Sequence, residues 1–310
     1  MNKQINILNK ISSLVLANPV KRQRLFDLLE SPGGGKAFWI SGPGGSGKST
    51  LIASYLEEGD IPAVWYQVDA LDKDPATSFY YLGEAVRSLV PELVEELPLL
   101  TPEYLPGIDS FLLQFFERFY QVVPPGTWLV FDNVQDAPTP SLLPQLLVAA
   151  VQQLPQTCRL AIVSRDEPLP ALARFLANRL LTPIGWEELS FTVEEYRQLL
   201  DREQVSGGLD QAEQLHDLTG GWVAGAILML INLRGGRVDD RLPLLASPEN
   251  VYAYFAGEVL EKIDQKTRNF FLETSQLPFM TADLVKEITS LPDVALLEDL
   301  LQKNFFLQRR

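Results

Sequence analysis

The sequence predicts an α/β fold built on a parallel, doubly wound sheet, and three observations lead there. Short apolar runs recur at 37–41, 62–68, 127–131 and 159–164, with helical patterns between them at about 48–58, 75–90, 109–122 and 140–153. Alternation of this kind gives parallel strands joined by crossover helices. Two of the runs, Trp128-Leu129-Val130-Phe131 and Leu160-Ala161-Ile162-Val163, are apolar without interruption, as strands covered on both faces must be. The third observation is the glycine-rich stretch Gly42-Pro43-Gly44-Gly45-Ser46-Gly47-Lys48-Ser49-Thr50, set between the first strand-like run and the first helical pattern.

Taken in chain order, residues 1–30 read as a flanking N-terminal helix that stops at the breaker Ser31-Pro32-Gly33-Gly34-Gly35. The strand-like run Ala37-Phe38-Trp39-Ile40-Ser41 then enters the glycine-rich stretch, which fits the Walker A pattern G-x-x-x-x-G-K-[ST]. Glycines let the backbone curl so that successive N–H groups face phosphate oxygens, and the following helix adds the positive end of its dipole. Pro43, Gly44, Gly45, Ser46, Gly47, Lys48, Ser49 and Thr50 are therefore the expected phosphate-binding residues. Lys48 is placed to neutralise β- and γ-phosphates and Ser49 to ligate Mg²⁺, so the expected ligand is ATP or ADP with Mg²⁺.

The second half of such a site is a metal-binding carboxylate at the end of a neighbouring strand. Leu129-Val130-Phe131-Asp132 has that Walker B form, which makes Asp132 the second Mg²⁺ ligand. The position after it is Asn133, an amide that cannot serve as a base. Asp136 and Asp69 are the substitutes for orienting or deprotonating water; the alternative for each is a carboxylate that caps a turn. Loss of a general base typically costs about 10²–10⁴-fold, so slow hydrolysis is expected unless Asp136 fills the role. Ile162-Val163-Ser164-Arg165 ends the next strand with a cation that can reach a γ-phosphate. Arg165 either completes the transition state or only senses the nucleotide.

Composition narrows the classes. The 310-residue chain is too long for one ordinary core, and its formal net charge of −14 disfavours a grip on nucleic acid through the overall surface. No direct nucleic-acid contact by this segment is expected, the short basic run Lys21-Arg22-Gln23-Arg24 reading as a solvated helix end. One cysteine, Cys158, excludes an internal disulfide framework, and one histidine, His216, argues against a zinc site or His-based catalysis. The longest apolar helical run, 224–233, is too short for a bilayer, so a cytoplasmic protein without a membrane role is expected.

Between the second and third strands, segment 91–107 carries Pro91, Pro98, Pro102 and Pro106 and reads as a surface excursion. After about residue 185 strands give way to helical patterns at 192–203, 210–218, 221–234, 248–261, 264–274, 281–289 and 293–303. Thr192-Val193-Glu194-Glu195 opens the first of these with a capping box. The stretch from Arg234-Gly235-Gly236-Arg237 to Pro248 reads as a loop or hinge, and Phe305-Phe306-Leu307-Gln308 as a strand that ends the chain part-way through a domain.

Several stretches in fixed order resemble the STAND class of signalling ATPases, of the type of the bacterial maltose-regulon transcriptional activator. Besides the two Walker motifs, they are Trp65-Tyr66-Gln67-Val68-Asp69 with Asp72-Lys73-Asp74-Pro75 and Phe79, then Val163-Ser164-Arg165-Asp166-Glu167-Pro168 with Leu189-Ser190-Phe191-Thr192. Leu218-Thr219-Gly220-Gly221-Trp222-Val223-Ala224-Gly225 and Phe305-Phe306-Leu307 complete the set, which runs from about residue 18 to 310. The resemblance implies a P-loop nucleotide-binding domain at 1–185, a small helical domain at 186–240 and a winged-helix domain at 241–310, incomplete at its C-terminus. It also implies a switch that is closed with ADP, opens with ATP to self-associate, hydrolyses slowly, and answers to an inducer bound by a region beyond this chain. Val20 and Arg22 match the segment that flanks the base in such proteins, and Trp222 the approach to the adenine; Trp222 also reads as a core aromatic opening a helix. Asn133 departs from the second acidic residue that such proteins often carry. The competing expectation is a conventional ATP-dependent enzyme, a small-molecule kinase or a motor; the arginine-free excursion at 91–107 speaks against a kinase lid and Asn133 against fast turnover.

Overall fold

The computed structural model describes residues 10–31, 35–92, 97–205, 208–235 and 264–274, with a few positions between 277 and 289. The chain divides into two compact units, Met1–Leu189 and Ser190–Arg310.

The first unit is the predicted α/β layer structure. Its elements are α1 (Gln23–Glu30), β1 (Ala37–Ser41), α2 (Lys48–Glu58), β2 (Ala63–Gln67), α3 (Pro75–Leu89), α4 (Ile108–Val122), β3 (Trp128–Asp132), α5 (Leu143–Gln152), β4 (Arg159–Ser164), α6 (Ala173–Ala177), β5 (Leu181–Ile184) and α7 (Trp186–Leu189). The strands form one parallel sheet in the order β2-β3-β4-β1-β5. Because β1 is flanked by β4 and β5, the chain leaves it across two intervening strands to reach β2. Such a switch in strand order opens a crevice at the carboxyl ends of the strands.

Period-two alternation sends side chains to the two faces. Trp39, Tyr66, Phe131 and Ile162 pack under α3, α4 and α5, while Phe38, Ile40, Trp65, Val130, Ala161 and Val163 pack under α1 and α2. Both faces are covered, which is why the strands are apolar throughout. Helix α4 supplies Phe111, Phe115, Phe116, Phe119 and Tyr120, all buried, and Phe79 of α3 meets Phe111 and Phe115 edge-on at 5.0 and 4.8 Å.

Two local expectations are corrected and a third is refined. The flanking helix expected over 1–30 is confined, among the described residues, to positions 10–11 and α1; residues 12–22 are not helical. Asn18 stands at φ 49° directly before Pro19, a dipeptide that cannot continue a helix. Strand β5 lies outside the expected set. It has only four residues and includes Pro183, which suits an edge strand and carries little strand signal. The excursion at 91–107 is exposed from 101 to 107 but is anchored by buried Leu97; residues 93–96 lie outside the description.

The N-terminal strap meets the other edge of the sheet. Pro62 O accepts from Trp128 N–H and Val68 N–H donates to Asp132 O, so even-numbered positions of β2 face β3 and Gln67 faces the open edge. There Lys10 Nζ donates to Gln67 O at 3.1 Å, to Asp69 Oδ1 at 2.8 Å and to Asp72 Oδ2 at 3.1 Å. It also lies over the rings of Tyr66 and Tyr81, at 4.9 and 5.7 Å.

The second unit contains α8 (Val193–Arg202), α9 (Leu209–Thr219), α10 (Val223–Gly235) and α11 (Gln265–Thr274). The predicted capping box is present: Thr192 Oγ1 accepts from Glu195 N–H, and Glu195 Oε2 accepts from Thr192 N–H. Tyr196 and Leu199 of α8 are buried beside Leu215 of α9. Helix α9 ends at Gly220, and Gly221 follows at φ 86° with Ser190 Cβ 2.6 Å from where its own Cβ would stand. The left-handed angle and the close approach both require glycine there. The helical patterns at 248–261 and 293–303, the loop to Pro248 and the strand at 305–308 lie outside the described residues, as does most of 281–289.

Candidate functional site

The predicted phosphate loop runs from the end of β1 into α2. Gly45 and Gly47 adopt φ 72° and 83°, and Ser46 N–H donates to Pro43 O at 3.3 Å, so the loop curls around its own interior. Lys48 is only 8% exposed, and its Nζ folds against Gly42 O and Pro43 O, both at 2.8 Å, with Ser46 Oγ at 3.3 Å. The Lys48 pKa is lowered to about 8, chiefly by burial and also by the nearby Arg165 cation, with Asp132 opposing both. Carbonyl oxygens hold this ammonium only as dipoles, so it gains most from an arriving anion.

Asp132 ends β3 and is 1% exposed. Its Oδ1 accepts from Ser49 Oγ at 2.8 Å and from Asn133 N–H at 2.9 Å. Burial pushes the Asp132 carboxyl up; the two hydrogen bonds and Lys48 pull it down, and the charge of Asp136 adds to the rise. The hydroxyl and carboxylate are hard oxygen donors from different strand-loop-helix units. That pair suits Mg²⁺, which takes one or two protein oxygens, phosphate oxygens and water. No group of three or more His, Cys, Asp or Glu side chains among the described residues makes an all-protein metal cage.

Arg165 follows β4, whose neighbour in the sheet is β3 on one side and β1 on the other. Its guanidinium lies over the loop, with Cζ 3.8 Å from where a Gly44 Cβ would stand. The turn is pinned beside it: Asp166 N–H donates to Ser164 Oγ at 3.1 Å and Trp39 Nε1 donates to Asp166 O at 3.0 Å. Lys48, Ser49, Asp132 and Arg165 thus converge at one edge of the sheet. Asp136 sits on the one-turn helix Val134–Asp136 after β3, near enough to act on Asp132 but exposed to solvent. Asp69 is engaged elsewhere, accepting from Leu71 N–H at 2.8 Å and pairing with Lys10. The turn-capping reading holds for it.

Arg22 is buried, and its Nη2 donates to Leu189 O at 2.6 Å; Arg24 Nη1 donates to Glu188 O. Leu189 in turn reaches the phosphate loop, its Cδ1 3.2 Å from the Gly42 Cβ position. Val20, half-buried, lies two residues before Arg22. Trp222 belongs to the second unit, where its ring covers Gly225, Cε3 standing 2.6 Å from that residue's Cβ position. Sequence reasoning missed Gln67 and Gln135, which both bond to Asn133 after the Walker B strand, Gln135 also accepting from Arg165 N–H after β4. A glutamine has no motif of its own, and only the register Gln67↔Asp132 reveals the first.

Comparison with known proteins agrees with this geometry. The MalT winged helix domain family matches residues 256–310. The chain is 26% identical over 302 residues to the HTH-type transcriptional regulators MalT of Cronobacter sakazakii (strain ATCC BAA-894) and Klebsiella pneumoniae (strain 342), over 95% of this chain and 33% of each relative. It therefore spans about a third of the length of the curated relatives it matches. Among solved structures, a STAND protein with a tetratricopeptide repeat sensor from Pyrococcus horikoshii superposes with a TM-score of 0.52 at 18% identity, covering 94% of this chain and 40% of that one. A Walker-type ATPase of Pyrococcus abyssi gives 0.56 at 16%, covering 94% and 93%. No described helix is long and apolar enough to cross a membrane. The parallel sheet with its glycine loop, the MalT similarity along nearly the whole chain and the winged-helix match at its end agree: the chain has a P-loop ATPase fold and is similar in sequence to the MalT regulators.

Proposed function

We propose that this chain is the nucleotide-binding switch of a regulatory protein, holding ATP or ADP with Mg²⁺ and hydrolysing ATP slowly. The observation that carries the reading is the 2.8 Å hydrogen bond from Ser49 Oγ to Asp132 Oδ1, beside the buried Lys48. It brings two Mg²⁺ ligands from separate parts of the chain to one point below the loop. The backbone from Pro43 to Gly47, with Thr50, cradles the phosphates, Lys48 neutralises them and Arg165 reads the γ-phosphate. When bound, Mg²⁺ screens the phosphate charge and orients the terminal group.

Hydrolysis is slow because Asn133 offers no proton acceptor and its amide is committed to Gln67. Asp136 is the carboxylate left to orient water. Asp136→Ala is expected to slow hydrolysis by about 10²–10⁴-fold with binding retained; unaltered hydrolysis removes it from that role.

The MalT relatives are transcriptional regulators, and the same output is proposed for the longer protein of which this chain would form the core. The switch is closed with ADP and opens with ATP to self-associate, Val20, Arg22 and Trp222 flanking the base and an inducer acting through a region outside this chain. The −14 charge supports a segment that does not itself grip nucleic acid. The division into a nucleotide-binding domain to 185, a helical domain to 240 and a winged helix beyond belongs to the same proposal. A ligand moves such an equilibrium only through its differential affinity for the two states. The test is the nucleotide carried by the purified 310-residue chain, its turnover, and its mass by light scattering in ADP and in ATP. Tightly held ADP, turnover far below about 1 s⁻¹ and a mass increase with ATP support the switch. Rapid turnover with constant mass sinks it in favour of a conventional ATP-dependent enzyme.

A further inference from the structure

Between Asp132 and Arg165 runs a bridge of carboxamides that phosphate binding alone does not require. Asn133 stands in the left-handed region at φ 59°, a conformation asparagine adopts more readily than other side chains. From there its Nδ2 donates to Gln67 Oε1 at 2.9 Å, and its Oδ1 accepts from Gln135 Nε2 at 3.4 Å. Gln135 Oε1 accepts from the backbone N–H of Arg165 at 2.9 Å. Gln67 ends β2, Asn133 follows β3 and Arg165 follows β4, so three carboxamides join three neighbouring strand ends.

The bond to Arg165 is the shorter of the two that Gln135 makes, and it acts on the first backbone N–H beyond β4. That N–H lies just past the strand end, in the turn that Asp166 also ties to Ser164 and Trp39. The guanidinium of the same residue lies over Gly44. Holding the backbone at one end and the loop at the other sets where the cation stands relative to Asp132.

We propose that Gln135 is a positioning residue that, by accepting the Arg165 N–H, aims Arg165 at the terminal phosphate and so sets the preference of the site for a nucleoside triphosphate over a diphosphate. The inference rests on the reading of Arg165 as the reader of the γ-phosphate. Only the acceptor oxygen of Gln135 is needed for it. Glutamate would keep that oxygen but add a negative charge beside Arg165, whereas leucine keeps the size, adds no charge and loses the acceptor.

The test is a set of dissociation constants for ADP and for a β,γ-imido ATP analogue, measured on the whole 310-residue chain. Gln135→Leu is expected to cut the ratio of triphosphate to diphosphate affinity about three- to tenfold, the worth of one net hydrogen bond, with ADP binding unchanged. Arg165→Ala lowers the ratio further, and adding Gln135→Leu to Arg165→Ala changes nothing more, because the two act as one unit. Equal weakening of both nucleotides by Gln135→Leu overturns the inference, as does a double variant in which the two losses add. A changed ratio in Arg165→Ala beside an unchanged one in Gln135→Leu sinks the inference alone. An unchanged ratio in Arg165→Ala sinks the γ-phosphate reading and the inference with it.

Discussion

Among its described residues the first unit buries two lysines at the carboxyl end of its sheet, and they are solved in opposite ways. Lys10 meets two carboxylates, a backbone carbonyl and two tyrosine rings. Asp72, its buried partner, is satisfied in turn by Asp69 N–H, Ser78 Oγ and the Tyr66 hydroxyl. Every charge there has an answer inside the protein, which leaves nothing for a ligand to add. Lys48 meets only carbonyl and hydroxyl oxygens, faces Arg165 as a like charge, and has its pKa lowered to about 8. A buried cation belongs to a binding site when its compensation is incomplete, and burial alone does not distinguish the two cases.

The largest effect is expected where the compensation is complete. Lys10→Met strands the buried Asp72 carboxylate and should cost about 3–5 kcal/mol of stability, read by urea denaturation, with nucleotide affinity unchanged in the folded chain. A variant as stable as the parent would mean the cluster is not an internally balanced one. Lys48→Ala should do the reverse: affinity for both ATP and ADP falls by about ten- to a hundredfold, the worth of charged hydrogen bonds, while the denaturation midpoint scarcely moves. Calorimetric titration checks the first half, and undiminished binding would refute the site.

pH sharpens the contrast. Phosphate binds the ammonium form of Lys48, whose pKa is about 8. Below that value the proton is already present and affinity is flat. Above it, a proton must be taken up on binding, so affinity should fall by about tenfold per pH unit until the pKa of the bound state is reached. An affinity that rises or stays level from pH 8 to 9.5 would contradict the assignment. The smallest effect is expected from compensating the first cluster: Lys10→Met with Asp72→Leu should recover much of the loss from Lys10→Met alone, since an apolar pair can replace a buried ionic one.

What could be read from the residues was what carries a local signal. The phosphate loop announces itself because its backbone needs glycine at Gly45 and Gly47, and Asp132 and Arg165 because each ends an uninterrupted apolar strand. The capping box at Thr192 has the same character. Lys10 was illegible. It lies 59 residues from Asp69 and 62 from Asp72 in a stretch with no motif, and only the fold brings them together. The opposite misreading befell the N-terminal segment, whose helical pattern is overridden at Asn18-Pro19 by backbone geometry. Gln135 shows a third kind of silence: its role depends on which atom of a carboxamide faces which strand, a matter of orientation that composition does not encode.

The two ends of the strand order share a property that bears on assembly. On one flank, Lys10 occupies the outward carbonyl of Gln67; on the other, Pro183 puts a position without an N–H into the last strand. A lysine and a proline at the rims are the devices by which open sheets avoid recruiting a further strand from a neighbour. Copies of this chain that come together are thereby steered away from joining their sheets edge to edge, and toward contacts made by side chains.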